Sequence, residues 1–407
     1  MTEWKEYKIK ESPFEIIDGD RGKNYPSQDE FFRSGYCLFL STKNVRQTGF
    51  DFSESQFITI EKDNLLRKGK LARFDTILTT RGTVGNVTFY GNDVPYNNLR
   101  INSGMVIIRP NKERIDPRYC FYLFRSLQKS FETYTSGSAQ PQLPIRDLNE
   151  MEILLPPLSE QQSIASILSS LDNKIDLLHR QNQTIEALAE TLFRQWFVEE
   201  AEERWEAGKL GDVIETIESG SRPKGGIDPK LREGIPSIGA ENINGLGYYD
   251  YSKTKFITQE FYNSMKRGII KNYDVLIYKD GAYIGRKGMF ANGFPYDICT
   301  VNEHVFILRA NPRVNQIFLY FLLNQEDLEQ LNANSAQPGL NQESMKSFEI
   351  VIPPNELIKK FEEIVKVWID KIFFNCNQIR TLTRLRDTLL PKLMSGEVRV
   401  KELELLR

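Results

Sequence analysis

The chain has 407 residues, and a typical domain of about 100 to 200 residues predicts two or three domains. Hydrophobic residues make up 40% of the chain and charged residues 27%, a balance that excludes a wholly disordered or fibrous protein. The net charge of -2 argues against indiscriminate coating of nucleic acid, because such binding depends on an excess of Lys and Arg.

No apolar run reaches the roughly 18 to 20 residues that a membrane span needs. The first residues, 1–6, lack the basic and apolar regions of a signal peptide, so we expect a cytoplasmic protein. The cysteines are far apart and form no Cys-x-x-Cys pair, which predicts free, buried thiols instead of a zinc site or a disulfide framework at Cys37, Cys120, Cys299 and Cys376.

In chain order, strand-like and helical runs are interspersed without a regular strand–helix–strand alternation. The first part of the chain has strand-like runs at Tyr36–Leu40 and Gly104–Ile108, then an amphipathic helical run at Arg118–Ser130. The later part has the same kinds of run in the same order, at Val275–Tyr278, His304–Leu308 and Val314–Glu326. This pattern favours an α+β fold with mixed globular domains over a doubly wound sheet.

Two sequence motifs recur at one offset of 197 residues. SAQPQL at 138–143 matches SAQPGL at 335–340, and EILLPP at 152–157 matches EIVIPP at 349–354. Two matches at the same offset are improbable by chance, so we predict an internal repeat in which a globular domain and a long helix occur twice.

Proline pairs mark the point at which each domain gives way to its helix, at Pro156–Pro157 and Pro353–Pro354. Ser159 followed by Gln162 is a capping-box pattern, and Asn355 is the predicted N-cap of the second helix. We therefore predict two globular domains, each followed by a long helix, at residues 1–155, 156–203, 204–352 and 353–407, the last including a C-terminal tail.

Both helical segments carry apolar residues at steps of three and four. The first seam comprises Ile164, Leu168, Leu171, Ile175, Leu178, Asn182, Ile185, Ala189, Leu192 and Trp196. The second comprises Phe361, Val365, Trp368, Ile372, Asn375, Ile379, Leu382, Arg386, Leu389 and Leu393. Such seams predict a coiled coil, although each helix could instead cover only its own domain.

The pseudo-two-fold symmetry of the repeat favours antiparallel pairing of the two helices. That pairing places Asn182 opposite Asn375, and Leu178 opposite Ile379. A buried Asn pair can fix the register and orientation of a coiled coil, so we predict that these two residues set the helix register. Arg386 is the remaining clearly polar seam residue.

Gly-containing turns in each domain, RGTVGNVTF at 81–89 and GAYIGRKGMF at 281–290, suit close approach to DNA, although they could equally be simple hairpin bends. The Ser-Ala-Gln-Pro loops supply amides that can pair with adenine or can brace the domain against its helix. Segments 41–48 and 219–226 differ between the copies and could read different sequences. The candidate DNA contacts are Lys43, Arg46, Arg81, Asn86, Gln140, Gln142, Arg222, Lys224, Lys279, Arg286, Lys287, Gln337 and Asn341.

The sequence contains no motif for a common catalytic centre or for a resident metal or cofactor. We find no Walker loop, dinucleotide-binding glycine pattern, His-Glu-x-x-His or Gly-x-Ser-x-Gly. The only histidines, His179 and His304, are predicted to be structural. We therefore expect a non-catalytic chain.

The duplicated pattern resembles the specificity subunit of type I restriction-modification enzymes. The resemblance covers nearly the whole chain and is strongest at LPPLSEQQ (155–162), which degenerates to IPPNELIKK (352–360) in the second copy. It implies that each variable domain is a target recognition domain for one half of a bipartite double-stranded DNA site. Residues that contact bases cannot be carried over, because these domains vary with the sequence that each one reads.

The resemblance also implies partners: two methyltransferase subunits and, for cleavage, restriction (motor-nuclease) subunits. Adenine methylation and its S-adenosylmethionine would belong to the methyltransferase, leaving this chain without a cofactor. The helices would set the gap between half-sites, so one added turn of ~5.4 Å in both should lengthen it by roughly one to two base pairs. Two alternatives are a coiled-coil scaffold with two protein-binding domains and a self-sufficient nuclease or methyltransferase.

Overall fold

Each globular domain is built on a small sheet whose strand order recurs in the two halves of the chain. The computed structural model describes residues 4–135, 141–326, 328 and 339–400. The chain forms two compact units, which we call unit 1 (residues 1–173 and 383–407) and unit 2 (residues 174–382). Each unit thus contains one globular domain and a part of each long helix, while the predicted boundaries at 155, 203 and 352 stay a prediction.

The globular part of unit 1 contains eleven strands and four short helices among its described residues. The strands are β1 Lys5–Lys8, β2 Phe14–Asp18, β3 Cys37–Leu40, β4 Val45–Arg46, β5 Gly49–Phe50, β6 Phe57–Ile58, β7 Thr76–Thr79, β8 Val87–Phe89, β9 Leu99–Ile101, β10 Met105–Pro110 and β11 Glu152–Leu155. The helices are α1 Ile60–Leu65, α2 Pro117–Ser126, α3 Gln128–Thr133 and α4 Ile145–Glu150.

The central sheet of unit 1 has the order β2-β10-β7-β8, and a second sheet has the order β6-β3-β9. In the register of the central sheet, Ile107 of β10 lies opposite Ile17 of β2 and Ile77 of β7. Because successive side chains point to opposite faces of a strand, Ile107 packs in one hydrophobic cluster and Ile108 in another. Both faces of the sheet are covered, which explains why β10 is apolar without alternation.

The first long helix, α5, runs over Leu158–Arg194 and continues as one π-helical turn at Gln195–Glu199. The globular part of unit 2 follows it. Its strands are β12 Glu206–Lys209, β13 Ile214–Ser219, β14 Ile235–Ile238, β15 Gly245–Leu246, β16 Lys255–Ile257, β17 Val275–Tyr278, β18 Lys287–Met289, β19 Thr300–Val301, β20 Val305–Ala310 and β21 Glu349–Ile352. Its helices are α6 Gln259–Ser264, α7 Gln316–Gln325 and α8 Gln342–Ser347, and the second long helix, α9, runs over Asn355–Met394.

The strand orders of unit 2 reproduce those of unit 1. The sheet β13-β20-β17-β18-β15 corresponds to β2-β10-β7-β8 with one added strand, β16-β14-β19 corresponds to β6-β3-β9, and β12-β21 corresponds to β1-β11. In both copies the second sheet contains one parallel pair, β3 with β9 and β14 with β19. The internal repeat and the α+β fold class are therefore confirmed.

The long helices run antiparallel in unit 2 and pack on the domain as well as on each other. Asn182 of α5 contacts Asn375 of α9, while Phe193 and Phe361 have ring centroids 5.6 Å apart. Phe193 also packs on Phe318 of α7 at 5.5 Å. Ile369 and Phe373 of α9 are fully buried although neither belongs to the predicted seam, so the buried stripe of α9 is wider than that seam. Because the helices bury one face against each other and another face against the domain, the coiled-coil interpretation and the domain-covering interpretation are each only partly right.

Both predicted helix caps are wrong by one or two residues. The backbone N–H of Gln161 donates to the carbonyl of Pro157, so α5 begins at Leu158 and Ser159 lies inside its first turn. The N–H of Ile358 donates to the carbonyl of Pro354, which leaves Asn355 as the first helical residue. A proline before a helix can accept the first helical hydrogen bond, and the missing proline N–H costs nothing there.

Candidate nucleic-acid interface

In unit 1, a turn at the end of β7 is held by backbone hydrogen bonds to two other segments. The N–H of Thr80 donates to the carbonyl of Gly104 at 2.8 Å, and the N–H of Leu143 donates to the carbonyl of Thr80 at 2.9 Å. Arg81 then forms an isolated antiparallel bridge with Gln142. We call these two hydrogen bonds and this bridge the frame. The frame fixes the backbone of Arg81, a predicted DNA contact, at the surface of the domain.

The end of β17 in unit 2 has the same frame. The N–H of Lys279 donates to the carbonyl of His304 at 3.0 Å, and the N–H of Leu340 donates to the carbonyl of Lys279 at 2.8 Å. Asp280 bridges Gly339 as Arg81 bridges Gln142 in unit 1. Position 81 therefore corresponds to position 280, and position 104 to position 304.

The predicted basic residues after β3 are exposed in unit 1. The Nζ of Lys43 lies 3.3 Å from Glu54, and 73% of its side chain is exposed. The Nε of Arg46 lies 3.5 Å from Asp51, with its side chain 49% exposed. Exposed ion pairs of this kind contribute little stability and exchange readily with other anions, so both cations are accessible to a phosphate.

Asn86 does not fit the prediction that it approaches DNA. It is only 5% exposed, and its Nδ2 donates to the carbonyl of Val45 at 2.9 Å. Because a buried amide needs hydrogen-bond partners, this side chain ties the β7–β8 turn to the segment after β3. Arg81 on the same turn is half-buried, and its Nε finds no partner among the described residues.

The amide candidates of the Ser-Ala-Gln-Pro loops divide into two groups. Gln140 and Gln337 lie outside the described residues. Gln142 is half-buried in the bridge to Arg81, and Asn341 is the N-cap of α8, where its Oδ1 accepts from the N–H of Ser344 at 2.8 Å. The cap supports the bracing interpretation of Asn341 over base reading.

The candidate cations of unit 2 differ in how they are held. Arg222 is 62% exposed and lies 2.9 Å from Glu303, and Lys224 is exposed. The guanidinium of Arg286 stacks on Tyr283, with its Cζ 4.0 Å from the ring centroid. The Nζ of Lys279 lies 5.1 Å from the ring centroid of Phe306. By contrast, Lys287 donates to the carbonyl of Glu326 at 2.8 Å, so this lysine braces its own domain.

A cluster in unit 2 was missed by sequence reasoning. His304 is 43% exposed, with its Nδ1 2.8 Å from Asp280 and its Nε2 3.3 Å from Glu303. Burial raises the pKa of the Tyr278 phenol, and the carboxylates of Asp280, Glu241 and Glu303 add to the shift. Three carboxylates therefore act on the charge of Tyr278. Aligning the β-strands of the two copies would have shown that Asp280 corresponds to Arg81 and His304 to Gly104.

The four cysteines are free and buried, as predicted. Burial raises the pKa of the Cys37, Cys299 and Cys376 thiols to about 12, so these thiols stay protonated and unreactive at neutral pH. Across the described ranges, no group of three His, Cys, Asp or Glu side chains is arranged to hold a metal ion. None of the described helices combines the length and apolar character needed to cross a membrane.

Comparison with known proteins identifies the family. The family model for the type I restriction modification DNA specificity domain matches residues 1–187 and 202–382. The MjaIX type I restriction enzyme specificity subunit of Methanocaldococcus jannaschii is 29% identical over 350 residues, covering 80% of this chain and 78% of that protein. The HindI specificity subunit of Haemophilus influenzae is 24% identical, covering 98% and 100%.

A solved structure has the same fold. The crystal structure of a type I restriction-modification S subunit from M. genitalium superposes with a TM-score of 0.60 at 18% identity, covering 96% of each chain. Together with the family model, which occurs twice and spans most of the sequence, this similarity leads to one conclusion: the chain belongs to the family of type I restriction-modification DNA specificity subunits.

Proposed function

We propose that this chain recognises a bipartite, asymmetric DNA site, with each globular domain reading one half-site. The observation that carries the proposal is the repeated frame at the ends of β7 and β17, which presents Arg81 in one copy and Asp280 in the other. Two domains with the same backbone arrangement and different side chains are suited to recognise different DNA sequences, because specificity comes from side-chain contacts to base edges.

The exposed cations near each frame supply the other requirement of a DNA reader. Lys43 and Arg46 in unit 1, on the segment after β3, and Arg222 and Lys224 in unit 2, on the segment after β13, are all exposed. Contacts from such residues to phosphates position a protein on DNA and make its affinity depend on salt. The near-neutral net charge then limits binding elsewhere on the chain.

We assign catalysis to partner subunits. Two methyltransferase subunits would dock on this chain and carry S-adenosylmethionine, and restriction subunits would join them for cleavage. Apolar side chains exposed on the long helices in unit 2 support a docking surface; these are Leu177, Leu188, Val367 and Phe374. Exposed large apolar residues that recur along a helix are typical of protein interaction sites.

A domain exchange tests the proposal. Residues 1–155 are replaced by the matching domain of another specificity subunit, and the chain is expressed with its methyltransferase partner in a host without other adenine methylation. Methylome sequencing should show one half of the motif changed and the other half retained. Change in both halves or in neither half contradicts the assignment of one half-site to each domain.

The scaffold alternative predicts a different result from a salt titration. Specific duplex affinity of the assembled complex should fall steeply with salt, since neutralised phosphates release counterions. A coiled-coil scaffold that binds only proteins lacks phosphate contacts and gives no such slope. The control is the complex with Lys43 and Arg46 both changed to Gln, which should show a smaller slope.

A further inference from the structure

Two pairs of equivalent positions carry opposite charges in the two units. Arg81 corresponds to Asp280 through the shared bridges and backbone hydrogen bonds. Lys43 corresponds to Glu241 because each lies in the middle of a 3-10 turn, Thr42–Asn44 or Ala240–Asn242. In both turns the Asn side chain accepts from the backbone N–H three residues earlier. The charge inversion thus occurs twice on one conformationally equivalent surface.

In unit 1 no side chain occupies the position that corresponds to His304. Position 104 beside Arg81 is glycine, and a β-carbon there would lie 3.8 Å from Cβ of Arg81 and 2.9 Å from Cγ2 of Thr42. A side chain at position 104 would therefore clash with Thr42 and make an ordinary contact with Arg81. The Nε of Arg81 is buried and has no partner within the part of the chain that the structure describes, so the outer Nη1 and Nη2 atoms of the guanidinium are the donors left for a ligand.

In unit 2 the equivalent space holds a histidine that fixes a carboxylate. The Nδ1 of His304, at the position of Gly104, lies 2.8 Å from Oδ2 of Asp280. Neighbouring cations balance the other two carboxylates: Arg222 pairs with Glu303 at 2.9 Å, and Lys255 pairs with Glu241 at 2.7 Å. His304 thus orients Asp280, and the local negative charge is partly neutralised.

The donors and acceptors on base edges match the Arg81 guanidinium and the Asp280 carboxylate with different bases. Guanine presents two acceptors, O6 and N7, in the major groove, which match the paired donors of an Arg. Cytosine presents the N4 amino donor, which a carboxylate accepts, whereas adenine places its N7 acceptor beside the N6 donor and repels a carboxylate. The phosphates of DNA also repel a carboxylate. A hydrogen bond from the N4 amino group of a cytosine is therefore the contact that stabilises a carboxylate facing DNA.

We propose that the two units read bases of opposite hydrogen-bonding character. Arg81 donates to a guanine in the half-site of unit 1, and Asp280, positioned by His304, accepts from the N4 amino group of a cytosine in the half-site of unit 2. The inference rests on the proposed function, since it requires that both domains face DNA, and it adds the class of base that each domain selects.

The experiment uses the full chain assembled with its methyltransferase subunits. Methylation rates are measured on duplexes that carry the wild-type motif and every single base-pair replacement in it. Arg81→Gln should reduce discrimination at one guanine position of the first half-site by roughly 5- to 150-fold, the range for a good bidentate contact. Asp280→Asn should reduce discrimination by at least roughly fivefold at one cytosine position of the second half-site only.

Matched variants control for loss of charge alone. Arg146→Gln removes an exposed guanidinium of α4 in unit 1, and Glu349→Gln removes an exposed carboxylate of β21 in unit 2. Both should leave selectivity unchanged. If Asp280→Asn fails to assemble, His304→Gln carries the same test, because it alters the contact that orients the carboxylate.

The outcomes separate the inference from the function on which it rests. Unchanged selectivity in the Arg81 and Asp280 variants, or a uniform loss across all positions, overturns the inference while the two-half-site assignment stands. A domain exchange that leaves the methylated motif intact overturns the proposed function itself. Relaxed selectivity at an adenine or thymine position, in place of cytosine, also contradicts the role given to Asp280.

Discussion

Asn375 of α9 donates a hydrogen bond of 2.8 Å from Nδ2 to Oδ1 of Asn182 on α5. Asn375 is fully buried, and its Nδ2 also lies 2.9 Å from Oε1 of Gln181. Its own Oδ1 is buried and accepts no hydrogen bond from a described residue. An apolar pair would avoid this cost, so we propose that the Asn pair is retained to specify helix register.

Asn182→Leu should therefore destabilise unit 2 by about 1–3 kcal/mol, because it removes the acceptor facing the buried Asn375 amide. Adding Asn375→Leu should recover most of that loss, since replacing both partners with apolar groups is nearly neutral or stabilising. Urea unfolding of the full chain, followed by circular dichroism, measures both variants. A double variant no more stable than Asn182→Leu would contradict the coupling.

Arg386 is explained by a polar network in unit 1. Its Nη1 lies 2.8 Å from Oδ1 of Asp172, whose Oδ2 accepts from the Tyr122 hydroxyl at 2.7 Å. Burial and the Asp172 charge raise the pKa of the Tyr122 phenol, which keeps that hydroxyl a donor at neutral pH. Arg125 approaches the same carboxylate at 3.4 Å. The apparent exception in the seam is thus a satisfied ion pair.

Arg386→Leu should lower the unfolding free energy of unit 1 by about 1–3 kcal/mol, because Asp172 loses a charged partner in a largely buried site. Arg384→Leu, at an exposed position two residues away, should change stability by no more than about 0.5 kcal/mol. Urea midpoints compare the two. Combining Arg386→Leu with Asp172→Asn should give less than the sum of the single effects, and strict additivity would show that the pair is uncoupled.

Glu186 of α5 should make the stability of unit 2 depend on pH. Burial raises the pKa of its carboxyl above the ordinary value of 4.5, and the Glu190 charge adds to the shift, while the N–H of Leu246 opposes it. Because the folded-state pKa exceeds the unfolded one, the ionised form destabilises the fold at higher pH. That penalty is absent below the ordinary pKa and develops as pH rises through the folded-state pKa.

Glu186→Gln should accordingly raise the melting temperature by roughly 2 °C at about pH 8, and the gain should vanish near about pH 4. The glutamine oxygen can still accept from Leu246, so the hydrogen bond at 3.3 Å is not sacrificed. Melting curves across this pH range provide the measurement. Asp176→Asn, at an exposed position on the same helix, is the control, and an identical pH profile for both variants would remove Glu186 as the cause.

The internal repeat and the antiparallel helices could be predicted from the sequence because both produce regular patterns, such as the recurring Pro-Pro pairs and the apolar seam. The prediction for Asn86 was wrong because this side chain donates to the backbone carbonyl of Val45, a tertiary contact that leaves no local pattern in the sequence. The helix caps were misplaced because a proline carbonyl can take the cap position without a side-chain signal. Asp280 was overlooked because its meaning depends on His304, a neighbour 24 residues away.

Docking of the methyltransferase subunits should depend on the exposed apolar residues of α9. Val367 and Phe374 are 66% and 54% exposed and lie seven residues apart, on one face of the helix. Changing both to Ser should weaken binding of the methyltransferase subunit by roughly 30-fold or more, as expected for buried interface anchors. Titration calorimetry gives the affinity. Glu363→Gln is the exposed control, and equal affinity for all three proteins would place docking elsewhere.

The helices should also determine the gap between half-sites. Four residues inserted after Asn173 in α5 and after Leu382 in α9 add ~6 Å of helix to each, because a helix rises ~1.5 Å per residue. Since base pairs stack at ~3.4 Å, methylome sequencing should show a gap longer by roughly one to two base pairs, with both half-sites unchanged. An insertion in α5 alone misaligns the antiparallel partners and should abolish methylation. Retention of the original gap by the doubly lengthened chain, with methylation intact, would show that the helices do not measure the distance.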